Sequence, residues 1–365
     1  MPSILVTRNV GPAAMAKLEA SGFDLIVNPV DAEPTRAWVL ENIANPDVIS
    51  VCLMHGQGSD KVDEEFLNAC NPNLKTVSTF SVGFDHIDVK GANARGIKIG
   101  HTPGVLSDSV ADITTMLVLM TMRRVQEGID LIKSGGPTAP LLTPCARSIP
   151  LANALQWPKL PWAPFVMCGP NIGHPNLTIG FLGFGRISEV VVDRLLAFTS
   201  KTAPPTILYN SSRARDNQAQ LDADFSKRWG TTVRRAEVDE VAEKSDVVIV
   251  LCSLNPSTTD LVNAAFLKKM KKSAILVNAA RGPIVNSEDL NAALDAGEIY
   301  GAGLDVITGE PHVAPDHPLV LNSRCVVIPH MGSADMDTRA AMGDLCVSNA
   351  IAGAKGEALV AEVKV

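Results

Sequence analysis

No apolar run in this chain approaches the roughly 18 residues needed to cross a bilayer. The most apolar helical stretch, Ile113 to Met120, is bounded by Asp112 and Arg123, so no membrane partner is expected. Blocks of Lys and Arg are missing too: 32 basic residues stand against 39 acidic ones, a formal net charge of -7. Nothing here would track a phosphate backbone, and nucleic acid is not expected as a partner. The seven cysteines, Cys52, Cys70, Cys145, Cys168, Cys252, Cys325 and Cys346, form no C-x-x-C pair. An odd, scattered set argues against a disulfide framework and for a reducing compartment. No H-E-x-x-H occurs, and His312 and His317 are the only close histidine pair, so no metal site is expected. Met1-Pro-Ser-Ile-Leu-Val-Thr7 reads straight into a strand without a basic leader, and Glu362-Val-Lys-Val365 is no peroxisomal tripeptide. Cytoplasm is the expected location.

What is present is ordinary globular material, 46% hydrophobic and 19% charged over 365 residues. At about 150 residues per domain this length predicts two domains. In the first hundred residues, apolar runs (Ile4-Leu-Val6, Leu25-Ile-Val27, Val48 to Leu53, Thr76 to Thr79, Ile97-Lys-Ile99) alternate with helix-like stretches such as Pro12 to Ala20 and Asp63 to Cys70. Such alternation is the βαβ pattern of a parallel sheet. Ser107 to Arg124 reads as one long, mostly buried helix. A second series follows: Leu177 to Leu182, Thr206 to Tyr209, Asp246 to Cys252, Ala274 to Asn278, Gly301 to Val306 and Cys325 to Ile328. Their near-continuous Val, Ile and Leu predict strands covered on both faces, as in doubly wound α/β sheets. The last helix, about Asp335 to Ala354, has no sheet after it and is expected to return to the first domain.

Gly183-Phe-Gly185-Arg-Ile-Ser188 follows a predicted strand and opens the helical run Ile187 to Phe198, the context a dinucleotide-binding loop requires. Gly183 permits the tight turn, and Gly185 lets backbone N–H groups approach a pyrophosphate at the helix N-terminus. Ser188 stands where a third glycine is usual. An ordinary strand-to-helix turn is the bland alternative. At the end of the next strand, where NAD enzymes place an acid on the ribose, the chain has Asn210-Ser-Ser-Arg213 and no carboxylate. Ser211, Ser212 and Arg213 could hold a 2′-phosphate, so NADPH is expected over NADH, with NADH as the alternative. Against this, surface arginines are usually only solvated loop charges.

Three later strands end in loops with ionisable groups: Arg281 in Asn278-Ala-Ala-Arg-Gly282, Glu310 in Ile307-Thr-Gly-Glu-Pro311 and His330 in Pro329-His-Met-Gly-Ser333. Reduction of a 2-oxo acid needs such a set. The guanidinium would clamp the carboxylate and polarise the carbonyl, the imidazolium would deliver the proton, and the glutamate would orient the ring and favour its charged form. Taken singly, each has a structural reading as a hydrogen-bonded histidine, a turn or a surface ion pair.

Together with Ser78-Thr-Phe-Ser-Val-Gly-Phe-Asp-His86 and Gly303-Leu-Asp-Val306, these motifs give the chain its resemblance to the D-2-hydroxyacid dehydrogenase family, on the side of the glyoxylate and hydroxypyruvate reductases. The resemblance covers nearly the whole chain. It implies two doubly wound α/β domains, flavodoxin-like and Rossmann, with an active-site cleft between them. The implied substrate domain is 1–104 plus 335–365, and the NAD(P)-binding Rossmann domain, with its dimerisation region, is 105–334. The resemblance further implies that Arg281, Glu310 and His330 are catalytic. Substrate contacts would come from Leu53, Met54, Val82, Gly83, Arg281 and Ser333. Cofactor contacts would come from Gly183, Gly185, Arg186, Ile187, Ser211, Ser212, Arg213, Asp305 and Gly332. Glu310 argues against formate dehydrogenases, which carry glutamine there. A homodimer is implied, with Trp157 or Trp162 reaching the partner's active site or packing in an interface.

The segment from Pro137 to Gln156 is a departure from the family, about 20 residues with several prolines and no sustained period. It reads as a loop-like insert or as translated intron, which sequencing of the transcript distinguishes. The expected reaction is glyoxylate to glycolate and hydroxypyruvate to D-glycerate. The alternatives are another D-2-hydroxy acid or an NAD(H)-sensing, corepressor-like binding protein.

Overall fold

Five of the early apolar runs form parallel strands: β1 (Ser3–Val6), β2 (Asp24–Val27), β3 (Val48–Leu53), β4 (Thr76–Thr79) and β5 (Lys98–Gly100). Their order is β2-β1-β3-β4-β5, the flavodoxin-like arrangement. In this computed structural model, residues 1–30, 32–54, 58–133 and 169–364 are described. The chain divides into two units, Met1–Leu106 with Ser333–Val365, and Ser107–Gly332.

In the first unit β1 and β4 are buried along their whole length, whereas the edge strand β2 is partly exposed. The long last helix, Met336–Lys355, is capped by Asp335, whose carboxylate accepts the Thr338 N–H at 2.8 Å. It ends at Gly356 in the left-handed conformation (φ 77°). The helix lies on the sheet itself: Ser50 Oγ of β3 donates to the Ala350 carbonyl at 2.9 Å, and Ser78 Oγ of β4 to the Cys346 carbonyl at 2.8 Å. Both hydroxyls are fully buried, so each needs such a partner.

The second unit holds seven parallel strands: β6 (Thr178–Leu182), β7 (Thr206–Asn210), β8 (Val233–Arg235), β9 (Val247–Val250), β10 (Ile275–Asn278), β11 (Gly301–Leu304) and β12 (Cys325–Val327). The order β12-β11-β10-β9-β6-β7-β8 is a Rossmann sheet extended by one strand, and its direction of winding reverses between β6 and β9. Ligands bind outside the carboxyl ends of strands at such a switch point. The sequence pattern missed β8, an edge strand of Val-Arg-Arg with no apolar run to announce it. The predicted single helix from Ser107 to Arg124 stops at Met122, because Arg124 takes a positive φ of 51°, and a second helix runs Val125–Lys133. The first of these packs closely on β11. A Cβ on Gly303 would stand 2.7 Å from Thr121 Oγ1 and 3.1 Å from Leu117 Cβ, so the Gly-Ala-Gly-Leu composition of the strand is what admits the helix.

Candidate active site

The two glycines of the turn after β6 stand in different surroundings. Gly183 has φ +91°, and a Cβ there would lie 2.5 Å from the backbone N and Cα of Cys252. The protein's own packing therefore demands glycine. Gly185 precedes the helix Arg186–Phe198 without a side-chain cap, and a Cβ on it would meet nothing within 4 Å. The space above this exposed helix N-terminus, next to Arg186 and Ile187, fits an anionic diphosphate received by backbone N–H groups. Ser188 is buried and its Oγ donates to the Gly183 carbonyl at 3.0 Å, so the serine ties the turn closed where a third glycine would only be small. The Phe184 ring is stacked on Tyr209 at 4.3 Å and meets Phe181, Phe225 and Trp229 edge-on. The two glycines predict different phenotypes. Gly183→Ala is expected to destabilise the fold by on the order of 2–4 kcal/mol. Gly185→Ala should keep its melting temperature while losing dinucleotide affinity, which paired thermal melts and cofactor titrations would read.

At the end of β7, Asn210 Nδ2 donates to the Ala236 carbonyl at 3.0 Å and Ser211 Oγ to the Arg213 carbonyl at 3.2 Å. Ser212 and Arg213 are exposed. Sequence reasoning missed Arg235, at the end of β8 and in register with Tyr209. Its guanidinium reaches the Ser211 carbonyl at 3.3 Å. The Arg-Arg pair was the only signal that could have marked it.

Arg281, Glu310 and His330 stand in the loops after three neighbouring strands, β10, β11 and β12. Fully buried Asn278, the last residue of β10, fastens the first of these loops. Its Oδ1 accepts the Ala280 N–H at 3.0 Å and its Nδ2 donates to the Arg281 carbonyl at 2.9 Å. Arg281 Nη1 donates to the Ala280 carbonyl at 2.8 Å. The next residue, Gly282, presses against the loop after β11, where a Cβ would lie 2.3 Å from the Ile307 carbonyl carbon.

Glu310 binds in two directions. Oε1 accepts the Ile307 N–H, and Oε2 meets His330 Nδ1 at 2.9 Å. A carboxylate only accepts, so Nδ1 carries the hydrogen and Nε2 is the ring atom that can hold or release a transferable proton. The glutamate side chain is 11% exposed and the histidine 36%, which shields the pair while leaving the ring reachable. The imidazole backbone adopts φ 50°, and Asp305 fixes the turn behind it. The Asp305 carbonyl accepts the His330 N–H at 2.8 Å, and its carboxylate takes the N–H groups of Met331 at 2.6 Å and Gly332 at 2.9 Å. Burial pushes the Asp305 carboxyl above its ordinary range, against the lowering effect of those N–H groups and of the nearby histidine.

In the other unit, Leu53 is fully buried at the end of β3 and the Met54 N–H donates to Thr7 Oγ1 at 3.1 Å. Val82 and Gly83 are half-buried, with their carbonyls engaged by the His101 ring at 3.1 Å and by Ser81 Oγ at 2.6 Å. Ser333 is half-buried in the same unit. The insert 137–156, Trp157 and Trp162 lie outside the described residues.

The family described as D-isomer specific 2-hydroxyacid dehydrogenase, NAD binding domain, matches residues 152–332. A glyoxylate reductase/hydroxypyruvate reductase of Homo sapiens is 36% identical over 362 residues, 99% of this chain and 97% of the human one. The chain belongs to the D-isomer specific 2-hydroxyacid dehydrogenases. A glyoxylate reductase of Thermofilum pendens is 37% identical over 361 residues, 98% of this chain and 92% of that one. Among solved structures, an NADPH-dependent glyoxylate/hydroxypyruvate reductase of Sinorhizobium meliloti, in complex with NADP and malonate, superposes with a TM-score of 0.74. It is 28% identical, and the match covers 99% of this chain and 96% of that one. The family resemblance and the two parallel-sheet α/β domains expected from sequence are thus both borne out, and the chain is an NAD(P)-dependent dehydrogenase of this family.

Proposed function

We propose that this dehydrogenase reduces glyoxylate to glycolate and hydroxypyruvate to D-glycerate, with NADPH as the preferred reductant. The observation that carries the reading is the Glu310–His330 pair at 2.9 Å, one strand away from the loop of Arg281. A nicotinamide cofactor, when bound, supplies the hydride. His330 Nε2 gives a proton to the carbonyl oxygen as it becomes an alcohol, and Glu310 keeps Nδ1 protonated and the ring aimed. Arg281 offers a planar fork to the carboxylate and positive charge to the developing alkoxide. Leu53, Met54, Val82, Gly83 and Ser333 are assigned to the substrate. Gly183, Gly185, Arg186, Ile187, Ser211, Ser212, Arg213, Asp305 and Gly332 are assigned to the cofactor. The names of the relatives support the substrate class, and the absence of a carboxylate in Asn210-Ser-Ser-Arg213 supports the 2′-phosphate.

The reading includes a homodimer in the cytoplasm, from the family resemblance and from the free thiols of Cys52, Cys70, Cys252, Cys325 and Cys346. Initial rates with glyoxylate and hydroxypyruvate, each with NADPH and with NADH, test it. Fast turnover of both acids with NADPH is expected. Faster turnover of a bulkier 2-oxo acid, or cofactor binding with no turnover of any oxo acid, would overturn the substrate assignment.

A further inference from the structure

We infer that Arg235 is the second cation of the adenosine-phosphate site and sets the preference for a 2′-phosphorylated dinucleotide, an inference that rests on the NADPH reading above. Strand β8 runs beside β7 in parallel register, with Tyr209 opposite Arg235, so both strands end at the same edge of the sheet. The backbone N–H of Arg235 is held by Asp222 Oδ2 at 3.1 Å, and the other oxygen of that carboxylate takes the Tyr209 hydroxyl at 2.6 Å. The strand end is thus fastened on both sides of the loop that begins at Asn210.

From this anchor the guanidinium extends under the Ser211-Ser-Arg213 loop. Nη2 donates to the Ser211 carbonyl at 3.3 Å, and Nη1 pairs with Glu237 Oε1 at 2.6 Å. Nε is buried and has no hydrogen-bond partner among the described residues. The Arg235 side chain is 16% exposed, whereas that of Glu237 is 75% exposed. Arg213 is exposed, and among the described residues no ion pair occupies its guanidinium. A dianionic phosphate at the Ser211 loop would therefore meet one exposed fork, Arg213, and one preset fork, Arg235. The solvent-exposed Glu237 carboxylate would be displaced from Arg235. A diol in place of the phosphate would leave the Arg235–Glu237 pair intact, so the same arginine separates the two cofactors.

The test is direct binding of NADPH and NADH to the purified full-length protein, followed by nicotinamide fluorescence at fixed ionic strength, with 2′,5′-ADP and 5′-ADP as competitors. Arg235→Gln is expected to raise the Kd of NADPH by about 10- to 100-fold, the value of a charge-assisted contact, and that of NADH by less than about twofold. Competition by 2′,5′-ADP should weaken in step, while competition by 5′-ADP should not. Glu237→Gln leaves the arginine in place and frees its fork, so it is expected to tighten NADPH without changing NADH. Should Arg235→Gln fold poorly in thermal melts, Glu237→Gln and Arg235→Lys carry the test, the lysine variant falling between wild type and glutamine in NADPH affinity.

Equal weakening of both cofactors by Arg235→Gln would show a purely structural arginine and overturn the inference. So would a NADPH preference that Arg213→Gln erases and Arg235→Gln leaves intact, in which case the cofactor reading itself would stand. A wild-type protein that binds NADH at least as tightly as NADPH would overturn both.

Discussion

His330→Asn is expected to lower kcat for reduction of a 2-oxo acid by about 10²- to 10⁴-fold, the usual worth of a positioned general acid. Asparagine is the right replacement because residue 330 has φ 50°, a region that asparagine enters more readily than alanine. Cofactor affinity and melting temperature should stay near wild type, since the Asp305 contacts to residues 330 to 332 run through the backbone. A variant that loses its fold or its cofactor together with its rate would point instead to a structural histidine. Glu310→Gln should act through the ring. The amide cannot accept from Ile307 and His330 with two carboxylate oxygens as Glu310 does, so the imidazole loses its aim. A smaller loss than for His330→Asn is expected. Because the two side chains act as one unit, the double variant should be no worse than His330→Asn alone.

Arg281→Lys is expected to reduce kcat/KM by about 10²- to 10³-fold, although it keeps the charge. Lysine has no planar fork. Its ammonium is a single-point donor, whereas the guanidinium, with Nη1 on the Ala280 carbonyl at 2.8 Å, keeps further N–H groups in one plane for a bidentate contact. How the loss divides identifies the role. A rise in KM with kcat unchanged would mark a clamp on the substrate carboxylate, and an equal fall in kcat and kcat/KM would mark stabilisation of the developing alkoxide. A variant with wild-type kinetics would remove Arg281 from the proposed chemistry. Melting should be unaffected, because Asn278 secures the loop through the backbone of residues 280 and 281.

The sheets were largely legible because most buried parallel strands announce themselves as short runs rich in Val, Ile and Leu, and among the described residues 11 of the 12 strands lie on a segment that the sequence pattern picks out. β8 was hidden for the same reason in reverse: an edge strand buries little and needs no apolar stretch, so Val-Arg-Arg looks like loop. Arg235 was lost with it, since a residue on an unseen strand has no neighbour to be placed against. The helix break at Arg124 was equally invisible, because a positive φ at an arginine leaves no mark in composition.

By itself, the sequence determined the two parallel-sheet domains, the glycine turn before a helix, the missing ribose acid and the three strand-end loops bearing Arg281, Glu310 and His330. All of these depend on residue type over short distances in the chain. Tertiary structure alone decided that Glu310 and His330, 20 residues apart, meet at 2.9 Å. It also decided that packing requires glycine at 183 while the space around Gly185 is open, and that Arg235 lies against the Ser211 loop. Those outcomes depend on which strand ends the sheet order makes neighbours. That order is set by the packing of the whole unit, and no local run of residues encodes it.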